Sequence, residues 1–195
     1  STQWSTLFPY TTLFRSCRIA GLDPYAKADR RAALTQVAWM PQIAELPKGM
    51  RTIDLVAYLC WMRGQSRERA LASAEESLRA VGLTKSFHVK MGALSGGMVR
   101  RVWLAQALAA DADVLLLDEP STGLDPRQRE TMVRLIRETA AGTVLLSSHL
   151  LEDVKELAER IVVLDQGRVS FDGSLTDDMD ARWFMALTGD ESEQR

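Results

Sequence analysis

Two carboxylates follow directly on an apolar run in Val114-Leu115-Leu116-Leu117-Asp118-Glu119-Pro120. Unbroken apolar character predicts a strand buried on both faces. Asp118 and Glu119 then fall at the C-terminal edge of a sheet, where α/β proteins bind ligands. Successive strand residues point opposite ways, which separates their tasks. Asp118 can hold Mg²⁺ directly or through water, and Glu119 can polarise a water beside a phosphate. The competing reading is a buried strand followed by solvated acids. In Leu94-Ser95-Gly96-Gly97-Met98, Ser95 begins a helix and the two glycines let backbone amides approach a ligand without Cβ obstruction. Free amides and the positive end of the helix dipole form an anion site; a plain serine-capped helix is the alternative. His149 closes a strand after Ser147 and Ser148. As a neutral imidazole it could hydrogen-bond a terminal phosphate or an attacking water, against a helix-capping or core role. Gln42 follows another strand, where an ordinary polar loop residue would also serve. His88 has no partner motif and reads as surface.

These residues need a scaffold that ends strands and begins helices at the right places. Short apolar runs alternate with longer periodic segments, the pattern of a parallel α/β sheet. Val37–Met40 is a strand closed by Pro41 and Gln42, and residues 52–62 and 67–81 are helices. Ser66 caps the second, Leu71, Ala74, Leu78 and Val81 form its inner face, and Gly82 stops it. With no strand between them, the two helices form a lobe that interrupts the sheet. A helix runs from Ser95 to about Ala109, and Asp125-Pro126 supplies a cap and an N1 proline for another ending near Thr139. Thr143–Leu146 is a strand. The helix from Leu150 to Ala158 turns Leu150, Leu151, Val154 and Leu157 inward. Asp165-Gln166-Gly167-Arg168 joins Ile161–Leu164 to Val169–Phe171 as a hairpin turn. The final Asp-Glu-Ser-Glu-Gln-Arg reads as a frayed tail.

The composition of the 195 residues, 46% hydrophobic and 26% charged, is that of an ordinary globular domain. A formal net charge of −2 gives no electrostatic reason to expect a nucleic-acid partner. No apolar run reaches the length of a membrane span, and no secretory signal is read at the start. Cys17 and Cys60 form no CxxC pair and have no neighbouring histidine, which argues against disulfide or zinc frameworks and for a reduced cytoplasmic chain. Residues 1–16 are of another kind. Thr6-Leu7-Phe8-Pro9-Tyr10-Thr11-Thr12-Leu13-Phe14-Arg15-Ser16 reads as the translation of a short-read sequencing adapter. A loop or strand rich in β-formers is the alternative. The expectation is that native sequence begins near Cys17 and that the preceding segment stands outside the fold.

Gln42, Leu94–Met98, Val114–Pro120, Ser121-Thr122-Gly123-Leu124-Asp125 and Ser147-Ser148-His149 stand in an order and spacing that resembles the ABC-type ATPases. The resemblance covers nearly all of residues 17–175 and is densest over 94–149. It implies a P-loop NTPase-like parallel sheet core, residues 17–49 and 94–175, with a helical subdomain at 50–93 and a C-terminal helix and tail at 176–195. It also implies roles. Gln42 is similar to the Q-loop glutamine that senses Mg²⁺ and water and links the core to the lobe. Leu94–Met98, with Ser95, Gly96 and Gly97, resemble the signature that meets ATP on the opposite subunit of a head-to-tail dimer. Met98 stands where many members have glutamine, outside the Ser-Gly-Gly contact. Asp118 is similar to the Walker B aspartate, Glu119 to the catalytic base, Asp125 to the D-loop aspartate and His149 to the switch histidine. Arg100-Arg101 is similar to the exporter-like branch with separate membrane subunits. ATP and Mg²⁺ are the implied cofactors. A second ATP-binding subunit and a membrane permease are the implied partners, with the chain held peripherally at the cytoplasmic face of the membrane. Met50, Leu55, Tyr58, Leu59, Trp61 and Met62 crowd the lobe. Packing against the helix at 67–81 is the alternative and is accepted for Leu55 and Leu59. A permease helix is expected between the lobe and the Q-loop, against whichever of Tyr58, Trp61 and Met62 are exposed.

One departure matters. The resemblance requires a phosphate loop, GxxxxGK[ST], upstream of Gln42, whose amides and lysine hold phosphates. No such sequence occurs in the 195 residues. Its strand would lie between those at 143–146 and 161–164, so their edges are expected to be unpaired or forced together. The adenine-stacking aromatic is missing as well, and Trp4, Phe8 and Tyr10 are not assigned that role. The expectation is a truncated, inactive form of an ordinary transport ATPase. A soluble ABC-type ATPase acting on ribosomes or DNA would need a second cassette or coiled-coil arms. A non-hydrolysing pseudo-ATPase would be marked by loss of Glu119 or His149, and both are present.

Overall fold

The computed structural model describes residues 17–184 apart from 44, 46, 177 and 181. The adapter-like stretch at 1–16 and the tail from Asp190 lie outside the described residues. Three parallel strands form the central sheet: β1 (Val37–Met40), β2 (Val114–Asp118) and β3 (Thr143–Ser147), in the order β1-β2-β3. A short helix, α1 (Arg30–Thr35), leads into β1. Between β1 and β2 come α2 (Thr52–Met62), α3 (Arg67–Ala80), two 3-10 turns and α4 (Gly96–Ala109). The connection from β2 to β3 is α5 (Pro126–Arg137). After β3 come α6 (Leu151–Leu157) and an antiparallel hairpin of β4 (Arg160–Asp165) and β5 (Arg168–Ser174).

The helix starts follow from local chemistry. Ser66 Oγ accepts from the Arg69 amide at 3.2 Å, Ser95 Oγ from Met98 at 3.3 Å, and Asp125 Oδ1 from Gln128 at 2.9 Å, each satisfying an otherwise orphaned donor. Gly82, at φ +73°, ends α3. Gln166 and Gly167 both have positive φ, 45° and 76°, as a two-residue turn matched to strand twist requires.

One continuous core joins Met40, Leu115 and Leu117 of the sheet to Val56, Leu78, Val102 and Met132 of the helices. A smaller cluster, Ile161, Val163 and Met179, lies under the hairpin. Three expectations need correction. On α3, Leu71 is exposed and Ala70 takes the inner position, because the buried stripe runs through Ala70, Ala74, Ser77 and Leu78. On α6 the only fully buried residue is Asp153. Val154 packs on the small cluster and Leu157 on the main one, while Leu150 and Leu151 are half-buried and belong to neither. β2 is buried on one face only. Leu115 and Leu117 are enclosed, but Leu116 is half-buried in a cross-strand row, Trp39–Leu116–Leu145, whose outer members are exposed. Among the described residues no layer covers that row. Among the described residues β3 pairs with β2 alone and β4 with β5 alone, so the two edges are separate rather than forced together.

Candidate functional site

β2 ends on Asp118, and the chain turns sharply at Glu119, whose φ of +50° is uncommon for a non-glycine residue. Ser147, at the end of β3, holds that turn. Its hydroxyl donates to Asp118 Oδ1 at 2.7 Å and accepts from the Glu119 amide at 3.0 Å, and its carbonyl accepts from the same amide at 3.2 Å. The two carboxylates therefore separate, as strand alternation predicts. Asp118 engages Ser147. Glu119 Oε2 accepts from Thr122 Oγ1 at 3.2 Å and meets His149 Nδ1 at 2.6 Å. An ionised carboxylate only accepts, so Nδ1 carries the proton and a neutral His149 keeps Nε2 as an acceptor. In that state the ring can accept a hydrogen bond from water through Nε2. Donation to a phosphate through Nε2 requires the imidazolium.

The other predicted residues are spread around this centre. Register places Met40 beside Leu117, so exposed Gln42 follows β1 next to the Asp118–Glu119 turn. At the start of α4, Ser95 and Gly96 are exposed, and a Cβ at Gly96 would meet nothing within 4 Å. Gly97 differs: a Cβ there would lie 3.1 Å from Gln128 Oε1 and 3.3 Å from the Gly123 carbonyl. Its missing side chain lets α4 pack closely against the 121–125 loop. Asp125 caps α5 through Gln128, a structural task that its exposed position leaves compatible with others.

Two charged residues at the site were missed by the sequence reading. Arg100, 8% exposed, donates through Nη1 to the carbonyls of Pro41, at 3.3 Å, and Gln42. Its Nη2 donates to the carbonyls of Asp118, at 2.9 Å, and Glu119. Burial pulls the guanidinium below its usual range, with the Asp118 and Glu119 charges opposing the shift. Helical period was the available signal: Arg100, Leu104 and Ala107 share the buried stripe of α4. Asp153, at 0% exposure, accepts from Arg129 Nε at 2.6 Å, Ser148 Oγ at 3.2 Å and Ser121 Oγ. It thereby ties α5 and the segments bearing Glu119 and His149 together. A polar cleft lined by Thr35, Arg63, Gln65, Arg69 and Asp111 lies at the opposite, N-terminal end of the strands and takes no part.

No cluster of three metal-ligating side chains is present among the described residues. Asp118 and Glu119 alone suit a hard cation that brings phosphate and water oxygens as its other ligands, the usual habit of Mg²⁺.

A parallel sheet with helices inserted before its acidic strand, and with Asp118, Glu119 and His149 gathered at its C-terminal edge, is the ABC ATPase fold. Solved structures agree on the fold. An ATP-binding subunit of an ABC transporter superposes with a TM-score of 0.72 at 24% identity, covering 88% of this chain and 70% of that one. A dimeric ATP-binding cassette in a post-hydrolysis state, bound to ADP and Pi, gives 0.68 at 24% identity, covering 76% and 67%. Residues 13–122 match the family model described as ABC transporter. The chain belongs to the ABC transporter family, with the fold of its ATP-binding domains. The energy-coupling factor transporter ATP-binding protein EcfA2 of Streptococcus sanguinis is 44% identical over 54% of this chain and 39% of its own length. The Nod factor export ATP-binding protein I of Burkholderia orbicola is 36% identical over 74% and 48%. The daunorubicin/doxorubicin resistance ATP-binding protein DrrA of Streptomyces peucetius is 33% identical over 87% and 53%. The chain spans about half the length of the curated relatives it matches.

Proposed function

We propose that this chain derives from the ATP-hydrolysing subunit of an exporter, a protein that powers substrate movement through a membrane permease. The observation that carries the reading is the 2.6 Å contact between Glu119 and His149 beside Asp118. Glu119 accepts a proton from the attacking water, and His149, hydrogen-bonded to it, fixes the carboxylate's orientation. Asp118 and Gln42 are the residues that would hold Mg²⁺, which supplies charge neutralisation at the phosphates. Ser95 and Gly96, exposed at the start of α4, offer amides to nucleotide on a second subunit in a head-to-tail dimer, with Gly97 and Asp125 shaping that surface. Export rather than import is favoured by relatives named for Nod factor export and drug resistance.

Contact with the permease through α2 is supported by the exposure of Tyr58, Trp61 and Met62, while Leu55 is buried and Met50 and Leu59 pack on the core. No helix of the described residues is long and apolar enough to cross a membrane. The exposed aromatic and methionine side chains of α2 support this surface as the point of attachment to a permease at the cytoplasmic face. The chain as it stands neither binds nor hydrolyses MgATP, because no GxxxxGK[ST] sequence supplies the phosphate cradle. Calorimetry on the 195 residues tests that directly, and micromolar ATP binding would overturn it. Joined to the phosphate-loop segment of a relative, the chain should hydrolyse ATP. Glu119→Gln should then lower turnover by roughly two orders of magnitude while sparing binding. Normal turnover in that variant would reduce Glu119 to a solvated acid.

A further inference from the structure

We propose that Arg100 is a positioning residue that locks the Gln42 segment to the Glu119 segment, so that displacement of either loop moves the other. The inference rests on the hydrolytic reading only in giving those segments their roles; the clasp itself is a matter of geometry. Each terminal nitrogen of the guanidinium serves one loop. Nη1 donates to Pro41 and Gln42, and Nη2 donates to Asp118 and Glu119. The acceptors are all main-chain carbonyls, so the side chain grips the path of both loops while leaving the side chains of Gln42, Asp118 and Glu119 free of it. A guanidinium is planar and rigid, which fixes the separation of the two prongs. Its stem comes from α4, little more than one turn beyond Ser95. Among the described residues Nε finds no acceptor, and the groups that satisfy this buried cation are those of the two loops. The arrangement is therefore costly unless both loops are in place. That makes it a two-loop clasp rather than a filler: either loop leaving would strand donors in the interior.

The competing possibility is that Arg100 simply fills space under the sheet edge. Residue-resolved amide exchange on the 195-residue chain, at high dilution, separates the two. Ile43 is exposed, so Ile43→Gly loosens the Gln42 loop without opening the core. With Arg100 present, Ile43→Gly should speed exchange at Gln42 and also, by about tenfold, at Glu119, Ser121 and Thr122. In an Arg100→Lys background, the single ammonium reaches one loop at most, and Ile43→Gly should act on its own loop alone. Amides of 102–109 should keep their protection in every variant, which excludes global loosening. Arg100→Met, which retains stem volume, should behave as Arg100→Lys does. Indifference of Glu119, Ser121 and Thr122 to Ile43→Gly with Arg100 present would overturn the clasp. Equal propagation with lysine or methionine at position 100 would overturn it too, leaving packing as the role. Either result leaves the hydrolytic reading standing. Conversely, normal turnover in Glu119→Gln would defeat that reading without touching the exchange result.

Discussion

The uncovered row Trp39–Leu116–Leu145 should make the isolated chain associate with itself. Trp39 is 59% exposed and Leu145 65% exposed. A tryptophan presents up to about 250 Å², so covering the remainder of Trp39 removes about 150 Å² from water, worth about 4 kcal/mol at about 25 cal/mol per Å². Covering the remainder of Leu145 adds about 2 kcal/mol. Two copies meeting face to face gain about 12 kcal/mol. Against this stands an association cost of at least about 4 kcal/mol. The balance is at most about 8 kcal/mol, corresponding to dissociation in the micromolar range at its tightest. The row lies beside the β3 edge, which is unpaired among the described residues and adds strand pairing to the hazard. Leu145→Lys attacks both contributions. It removes the leucine's share from each copy, about 4 kcal/mol in all, and places an ammonium where a partner strand would have to bury it. Sedimentation velocity across a concentration series should show the unsubstituted chain associating in the micromolar range, and Leu145→Lys should weaken association by at least about a hundredfold. A single monomeric species at tens of micromolar, with a cooperative thermal transition, would refute the reasoning. So would association that ignores Leu145→Lys, since the face would then not be its seat.

Asp153→Ala strips Arg129, Ser121 and Ser148 of a fully buried acceptor and should cost about 3 kcal/mol or more, read as a lower denaturation midpoint at unchanged slope. Glu156, which also bonds Arg129 at 3.1 Å, keeps the loss from being larger. Asp125→Ala removes the α5 cap and should cost about 1 kcal/mol by the same measurement, with Asp125→Asn largely sparing it. Thiol labelling should find Cys17 reacting fast and Cys60 at least about a hundredfold more slowly until the chain unfolds. Burial raises the Cys60 thiol above its usual range, with Arg63 opposing, so less reactive thiolate is present at any pH below it.

Much of this architecture was legible because its signals are local. Ser66, Ser95 and Asp125 announce helix starts through hydrogen bonds that span three residues. Gln166-Gly167 fixes a hairpin by backbone conformation alone. The acidic strand end and the serine-serine-histidine strand end were each readable, and adjacency of β2 and β3 brings Glu119 to His149. What failed was non-local or depended on phase. A choice between Ala70 and Leu71 turns on which side of α3 meets α2 and α4, and hydrophobicity favoured the larger residue wrongly. The apolar run of β2 implied two covering layers, but a covering layer is a property of other segments. The packing of Gly97 against Gln128 and Gly123 was equally out of reach, because glycine permits approach by a ligand and approach by protein alike.

Arg100 and Asp153 escaped for a more instructive reason. A charged residue is read as solvent-facing by default, since burial of an unpaired charge is so unfavourable. Both are nonetheless enclosed, because each finds partners whose pairing with it no local pattern marks: main-chain carbonyls for the cation, and two serines with an arginine for the anion. Their positions are complementary. Arg100 fixes the main chain at Asp118 and Glu119 from the α4 side, while Asp153 fixes Ser121 just beyond and Ser148 just before His149. The Glu119–His149 pair is therefore held from both directions along the chain. That redundancy is what a positive φ at Glu119 demands, for a strained residue at a strand end persists only when its surroundings over-determine it. It also explains how Glu119 and His149 can meet at 2.6 Å although His149 is largely exposed and lies on a loop. The buried charges behind the pair support its geometry, which is the arrangement expected of a site whose groups must be in place before a substrate arrives.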